Sequence, residues 1–509
     1  MHRKHVFIPW TAICVLIACA ASAEAKVRLP SIISDNMVLQ QGRPVTIWGW
    51  AEPGEKITVT LYSKTFRTEP IPDGIIGSHG TRRGISHLPS AETDESGQWQ
   101  VTFDGLKPND NWQSIVISDS SGEKTVIKNI LVGEVWLCSG QSNMEMPVAR
   151  CNDAKKEIAA AKYPSIRFFQ VANAVAGSPQ ENCRGRWVVC DPKTVGGCTA
   201  AGYYFGRRLY KELNAPVGLI QSDWGGTPAE AWTSREAMEA QPSLAPILAR
   251  WDRAAKKDKR QAHSKNRAAS LYNAMIAPVL PYTIRGVIWY QGEANVPRAH
   301  QYRTLFPTMI ADWRERFHQP ELPFGFVQIA PFRYAMKKMD PRLCAELWEA
   351  QLLALKNTPH AGMAVTNDIG NVANIHPTNK QDVGRRLALW ALATVYGKDM
   401  VYSGPIYRSM AVEGGKIRLS FDHVGDGLVS RDGKPLSHFT IAGRDMKFHP
   451  ATAKIDGQTI VVESDAVEKP VAVRFAWDET AEPNLMNREG LPAPAFRTDE
   501  EKCLTEGKN

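Results

Sequence analysis

The sequence predicts an α/β core built on a doubly wound parallel sheet, with a β-rich region on either side of it. Between about residues 129 and 400, short apolar runs alternate with stretches of helical periodicity, which is the pattern of strands crossing over through helices. Before and after that span, β-like runs are separated by Gly and Pro instead. The chain has 509 residues, 43% of them hydrophobic and 22% charged, which is enough for two or three domains with cores of their own.

Residues 1–25 read as an export signal. "HRKH" is a basic start, "VFIPWTAICVLIACAA" is too short for a convincing membrane span, and Ala21-Ser22-Ala23 and Ala23-Glu24-Ala25 are small-residue cleavage patterns. Cleavage would start the chain near Glu24 or Lys26. A second reading takes Leu16 to Cys19 as a lipobox, with Cys19 becoming a lipidated first residue and a membrane anchor. The expected location is periplasmic or extracellular. No later run is apolar enough to cross a bilayer.

Residues 26–128 are expected to form a small β-sandwich-like domain, from "NMVLQQGRPVTIWGWAEPGEKITVTLYS" through "GQWQVTFDGL" to "WQSIVISDSSGEKTVIKNI". Thr65 to Ser96, rich in Gly, Pro, Ser and charge, is expected to be a long exposed loop or insertion. Residues 129–400 carry the core. Its buried strands are "ILVGEVWLC", "VGLIQ", "GVIWY", "FGFVQIA" and "GMAVT", and its helices are "AGYYFGRRLYKEL", "HQYRTLFPTMIADWRERF", "LCAELWEAQLLALK" and "QDVGRRLALWALATVYG". Residues 401–509 return to β structure in "GGKIRLSFDHV", "HFTIAG", "TIVVES" and "VAVRFAW", and close on a Pro- and charge-rich tail.

Composition removes several functions. The net charge of +8 is spread along the chain without a block of five or six like charges, which argues against nucleic acid as a partner. No Cys-x-x-Cys pair, His-Glu-x-x-His pattern or Gly-rich phosphate loop is present, so neither zinc nor a nucleotide is expected. Seven cysteines remain after Cys14 and Cys19 leave with the leader. Cys183, Cys190 and Cys198 lie close enough in sequence for one local bridge, and an odd count leaves at least one thiol free.

In an open parallel sheet, ligands bind beyond the carboxyl ends of the strands. "VWLCSGQSNMEMP" ends a strand at Ser142. "VGLIQ" is followed by Ser222-Asp223-Trp224-Gly225-Gly226-Thr227, and "GVIWY" by Gln291-Gly292-Glu293-Ala294-Asn295. "GMAVT" leads to Asn367-Asp368 and then to Asn374-Ile375-His376-Pro377. A serine, a histidine, paired glycines and several amides on one rim are the inventory of acyl transfer. A serine hydroxyl attacks only when a base takes its proton, and imidazole suits that task near neutral pH. The oxyanion then needs aimed donors. Ser142 N–H, a backbone N–H of Gly225 or Gly226, and the amide of Gln291 or Asn295 could supply them.

Taken singly, each residue has a plainer explanation. Met144 stands where the nucleophile elbow of α/β-hydrolases has its second glycine, so Gly140-Gln141-Ser142 alone is an ordinary turn. His376 beside Pro377 is a loop or capping residue, Gly225-Gly226 a turn, and Glu293 a surface acid. Their joint appearance at successive strand ends favours the chemistry.

"GEVWLCSGQSNMEMP", "SDWGGTPAEAWTS", "IWYQGEAN" and "NIHPTNKQDVGRRLA" resemble the motif set of the sialate O-acetylesterase family, a branch of the SGNH (GDSL-like) hydrolases. The opening "LPSIISDNMVLQQ" and closing "NREGLPAPAFRTD" also resemble it, while Thr65 to Ser96 does not match. The resemblance implies a flavodoxin-like three-layer α/β/α domain with accessory β structure, no metal or other cofactor, and removal of O-acetyl groups from sugars. It implies Ser142 as nucleophile, His376 as general base, and an oxyanion hole of Ser142 N–H, the Gly225-Gly226 region and Gln291. Many SGNH hydrolases place an aspartate three residues before the histidine. Here Ala373 stands there, with Asn374 two residues before His376, so a carbonyl of the "VANI" segment or Asp368 from its loop is left to orient the imidazole. Glu293 is expected to support the rim.

The substrate is expected to be an O-acetylated carbohydrate, with acetylated xylan or pectin as the alternative to a sialate. A sialate carboxylate would suit a bidentate arginine, for which Arg285, Arg298, Arg303, Arg333 and Arg342 are candidates. A non-catalytic carbohydrate-binding protein on the same fold would be expected to lack Ser142 or His376, and both are present. A general lipase would be expected to carry a long apolar lid, which the sequence lacks.

Overall fold

The computed structural model of the chain describes residues 27–64, 83–87 and 89–508. The expected leader, with Cys14 and Cys19, lies outside the described residues, as do residues 65–82 and 88 of the expected insertion.

The central strands are β1 (Lys124–Gly140), β2 (Tyr163–Val171), β3 (Gly185–Cys190), β4 (Val217–Asp223), β5 (Gly286–Tyr290), β6 (Phe324–Val327) and β7 (Ala361–Ala364). They lie in the order β3-β2-β4-β1-β5-β6-β7. All are parallel to their neighbours except β3, which runs antiparallel to β2 on the edge. The chain builds one side of β1 and then crosses to build the other, so the switch point lies at the carboxyl end of β1, between β4 and β5. Ser142 follows that end directly. Val135, Trp136, Leu137 and Cys138 are fully buried, as a strand covered on both faces requires.

Two helical layers cover the sheet. Trp136 points to one face, 5.0 Å from Phe205 of α2 (Ala200–Leu213) and 6.2 Å from Trp390 of α5 (Lys380–Thr394). Gly325 and Gly362 make that approach possible, because a Cβ at either would collide with the Trp390 ring. Trp289 of β5 points to the other face, 5.8 Å from Trp313 and 6.4 Å from Phe306 of α3 (Ala299–Arg316). The helix α4 (Leu343–Asn357) packs beside α3. This is the expected three-layer α/β/α core. Strands β2 and β3 are additions to the expected set.

The amino-terminal β region is continuous with the core. Val45–Trp50 pairs with Gln98–Phe103, and Lys56–Lys64 pairs with Asn109–Ser118, which in turn pairs with the first half of β1. The expected boundary at 128/129 therefore falls inside a strand. Part of the expected exposed insertion is also strand: Arg83–His87 and Ser90–Glu92 both pair with Lys56–Lys64, whose edge would otherwise lack a partner there.

Beneath this junction Glu134 is buried and accepts from Arg285 (Nε, 2.7 Å), Tyr396 (Oη, 2.8 Å), Gln41 (2.6 Å) and Gln40 (3.2 Å). After Met400 the expected strands appear as Lys416–Asp422, Phe439–Ala442, Thr459–Glu463 and Ala472–Phe475, in small antiparallel sheets. The tail returns to the core, where Glu346 of α4 accepts from Leu504 N and from Thr505 N and Oγ1.

The expected local disulfide is absent. Cys183, Cys190 and Cys198 are buried free thiols, like the other four described cysteines. Desolvation pushes all three up to about 12, which leaves them protonated and inert near neutral pH. Among the described residues no helix is long and apolar enough to cross a membrane.

Candidate active site

Gly140 ends β1 at φ 142, and a Cβ there would collide with the carbonyl oxygen of Tyr290, so only glycine lets β1 and β5 meet at this point. Gln141 N–H donates to that same carbonyl at 3.0 Å. The chain then turns into a one-turn helix, α1 (Ser142–Glu145), whose first N–H groups have no partner within the helix. Ser142 N–H is one of these, and it stands beside its own hydroxyl.

His376 arrives from the loop that precedes α5. Its Nε2 lies 2.8 Å from Ser142 Oγ, the separation of a hydrogen bond. Asn374 shapes the turn by accepting the His376 N–H on Oδ1 at 3.0 Å. The segment is tied from both sides to Asn143, the residue after Ser142. Asn143 Nδ2 donates to the Ile375 carbonyl (2.9 Å) and to Glu293 Oε1 (2.6 Å), and Lys380 Nζ donates to Asn143 Oδ1 (2.7 Å) and to the Pro377 carbonyl (2.8 Å). The carbonyls flanking His376 are thus held by Asn143, next to the serine, and by Lys380 of α5, which is itself bonded to Asn143.

Lys380 is fully buried, with Nζ 5.0 Å over the Tyr290 ring. Burial, partly offset by Glu293 and Cys151, pulls its pKa down to about 7. Asn143 and Lys380 are functional residues that the sequence reading missed, although both lie inside the motifs it quoted. Glu293 is 7% exposed and joins this network by accepting from Asn143 Nδ2.

The expected oxyanion donors separate. Gly225 packs against the serine, so close that a Cβ on it would lie 3.2 Å from Ser142 Cβ and 2.7 Å from a Glu145 carboxylate oxygen. Its N–H donates to Glu145 Oε2 at 2.6 Å, and its carbonyl accepts from Lys265 Nζ at 2.5 Å. Gly226, at φ 75, supplies the turn. Gln291 requires a correction. It is fully buried, its Nε2 donates to Asn295 Oδ1 (2.6 Å) and the Thr227 carbonyl (3.3 Å), and its Oε1 accepts from Tyr302 (3.1 Å). Asn295 is committed in the same way, to Ala229 N–H and Glu230. Both amides brace one loop against another instead of facing the serine.

Asp368 is corrected too. Its carboxylate takes both Nη groups of Arg386, at 2.7 and 2.6 Å, in a buried pair, so its charge is spent there and not on the imidazole.

Ser142 and His376 open on a cleft of about 710 Å³ that also exposes Glu145, Arg150 and Asp223. Asp223 closes β4, is 5% exposed, and among the described residues has only a 3.4 Å contact from Gln221 on Oδ1. Burial and then the Glu145 charge push it well above the usual carboxylate range. Of the arginines proposed from sequence, Arg285, Arg298, Arg303 and Arg342 pair with Glu134, Glu230, Glu349 and Asp340. None of these four, nor Arg333, lines the cleft. The arginine there is Arg150, exposed and without an ion pair among the described residues. A larger cleft of about 1070 Å³, lined by Arg43, Arg285 and His360, lies at the amino ends of the strands, away from this chemistry. Among the described residues no group of three His, Cys, Asp or Glu side chains could hold a metal.

A three-layer α/β/α sheet with a serine and histidine in hydrogen-bond contact at its switch point defines an ester hydrolase of the SGNH class. The chain belongs to the family described as carbohydrate esterase, sialic acid-specific acetylesterase, which matches residues 132–392. It is 31% identical to the human sialate O-acetylesterase over 93% of both chains, and 30% identical to that of Pongo abelii over 94% of both. Among solved structures it is similar to a carbohydrate acetylesterase from Xanthomonas citri, with 35% identity, a TM-score of 0.82, and coverage of 94% of this chain and 100% of that one. The chain is a carbohydrate O-acetylesterase.

Proposed function

We propose that the substrate is an O-acetylated sialic acid and that Ser142 and His376 perform the acyl transfer. The 2.8 Å contact between Ser142 Oγ and His376 Nε2 carries this reading. Nε2 takes the hydroxyl proton as Oγ attacks the acetyl carbonyl. The tetrahedral oxyanion forms beside Ser142 N–H and Gly225. Collapse breaks the bond to the sugar oxygen, which leaves with the proton from Nε2. Water, deprotonated by the same nitrogen, then attacks the acetyl-serine, and acetate departs as Oγ recovers its proton. Asn143 and Lys380 fix where Nε2 stands throughout.

Sialate specificity is supported by the curated relatives and by Arg150, which could receive the sugar carboxylate at the edge of the cleft. A second reading, a neutral acetylated polysaccharide such as xylan, is favoured by Glu145, whose carboxylate in the cleft opposes an anionic sugar. Acetate release from 9-O-acetylated sialic acid and from acetylated xylan, by wild type and Ser142→Ala, separates the two. Loss of release in the variant is expected on either substrate. Full activity in the variant would overturn the mechanism, and preference for xylan would overturn the sialate assignment. Export belongs to the same proposal, with cleavage before Glu24 or Lys26, or lipidation of Cys19, as its two forms. The mass of the mature amino-terminal peptide distinguishes them.

A further inference from the structure

The reaction just described asks Gly225 N–H to meet an oxyanion, yet Glu145 Oε2 already accepts that N–H at 2.6 Å. One N–H cannot serve two anionic acceptors at full strength, and a hydrogen bond to a charged acceptor is roughly twice as strong as a neutral one. Glu145 therefore has to give way. Asp223 lies in the same cleft, nine-tenths buried, and its Oδ2 has no hydrogen-bond partner among the described residues. Its pKa is raised, first by burial and then by Glu145, which favours the protonated form of that carboxyl. A buried carboxylic acid has an O–H to donate, and a neighbouring carboxylate is a strong acceptor for it. The other ionisable side chains around Glu145 are Arg150 and His376 in the cleft, and Lys265 on the Gly225 carbonyl.

We propose that Glu145 is a displaceable latch on the Gly225 N–H, which the bound acetyl ester moves across to the Asp223 carboxyl, and that this makes Glu145 a specificity-determining residue. The inference rests on the reading of Ser142 as nucleophile. Displacement draws on binding energy, and most of that energy comes from the sugar rather than the acetyl group. An acetylated sugar makes enough contacts to move Glu145. A small acetate ester does not, so the latch holds the enzyme to carbohydrate esters and spares bystander acetates.

The test compares kcat/KM on 4-nitrophenyl acetate and on the better of the two acetylated carbohydrates, for wild type, Glu145→Gln, Glu145→Ala and Ser142→Ala. The isosteric Gln variant keeps the shape and weakens the hold, and thermal melts establish that each variant is folded. Both Glu145 variants are expected to raise kcat/KM on the small ester about three- to tenfold, and to narrow the preference for the carbohydrate by the same factor. Asp223→Leu is expected to lower kcat/KM on the carbohydrate in the wild-type background and to have no further effect beside Glu145→Ala. A residue that merely shaped the donor would behave in the opposite way. Losing it would depress both esters together by about 100-fold or more, as removal of an oxyanion donor does. That result, or an unchanged ratio of the two esters, overturns the latch. An inactive Ser142→Ala beside an unchanged ratio sinks the latch alone, whereas an active Ser142→Ala removes the reading beneath it.

Discussion

Lys380 Nζ and Asn143 Oδ1 are joined at 2.7 Å in a fully buried contact, and through it the histidine loop is fastened to the residue next to the serine. The tie is electrostatic and titratable, and it is placed where a small displacement would separate Nε2 from Oγ.

Replacing Lys380 with Met should lower kcat by about 10- to 100-fold, the loss expected when a reacting group shifts by about an ångström. Steady-state kinetics will show it as a fall in kcat larger than any rise in KM. The same variant exposes a pH signature. The folded-state pKa of about 7 lies below the ordinary lysine value of 10.5. Between those values the unfolded chain holds a proton that the folded one has lost, so stability rises with pH across that window. Below pH 7 the cost of the buried charge is present in full. The unfolding free energy of wild type, relative to Lys380→Met, should therefore climb by about 1.4 kcal/mol per unit at most from pH 7 towards pH 10.5. A flat difference in denaturant melts would contradict the burial argument.

Asp368→Ala is expected to cost stability rather than catalysis. It leaves the Arg386 guanidinium buried without its carboxylate, a change worth about 3 to 5 kcal/mol. The fall in kcat should stay within about tenfold. A loss on the order of 10,000-fold, as when a triad carboxylate is neutralised, would restore Asp368 to the imidazole.

Asp223→Asn should raise the melting temperature. A carboxyl whose pKa is raised in the fold keeps a proton that the unfolded chain loses above the ordinary aspartate value of 3.8, so stability drains as pH rises from there. The amide has no such dependence. The variant's advantage should open near pH 4 and widen as pH rises above it, and calorimetry at several pH values will show whether it does.

Glu134→Ala should be among the most destabilising substitutions in the chain, because it strips Arg285, Tyr396, Gln40 and Gln41 of one shared acceptor. A cost of about 3 to 5 kcal/mol is expected, read as a lower urea midpoint.

The core strands and helices were legible because both of their faces are apolar, which leaves an unbroken run in the sequence. Tyr163–Val171 was not, since Pro164 and Arg167 interrupt it. Arg167 is nonetheless buried, donating to the carbonyls of Pro164, Asn36 and Asn129, and no one-dimensional pattern announces a charge that serves backbone groups from distant segments. Ser142 and His376 could be brought together because the sheet rule places strand ends on one rim. Gln291 could not be assigned that way. An amide after a strand reads the same whether it faces a cleft or braces a loop, and here the Asn295 and Thr227 partners decide. Lys380 sits in a polar stretch that looks like surface, and only the fold over Tyr290 buries it.

Lys124–Gly140 is one strand with a bulge at Asn129 (φ 57), paired with the amino-terminal sheet at one end and delivering the nucleophile at the other. Side chains alternate along it, so a single residue inserted or deleted between Asn129 and Gly140 would exchange inward and outward faces for everything downstream. Two relatives could trade front and catalytic halves only by splicing at matched register within that ladder, or by moving the crossover before Lys124. The front sheet is thus inherited together with the serine, and its length is a ruler against which the position of the chemistry is counted.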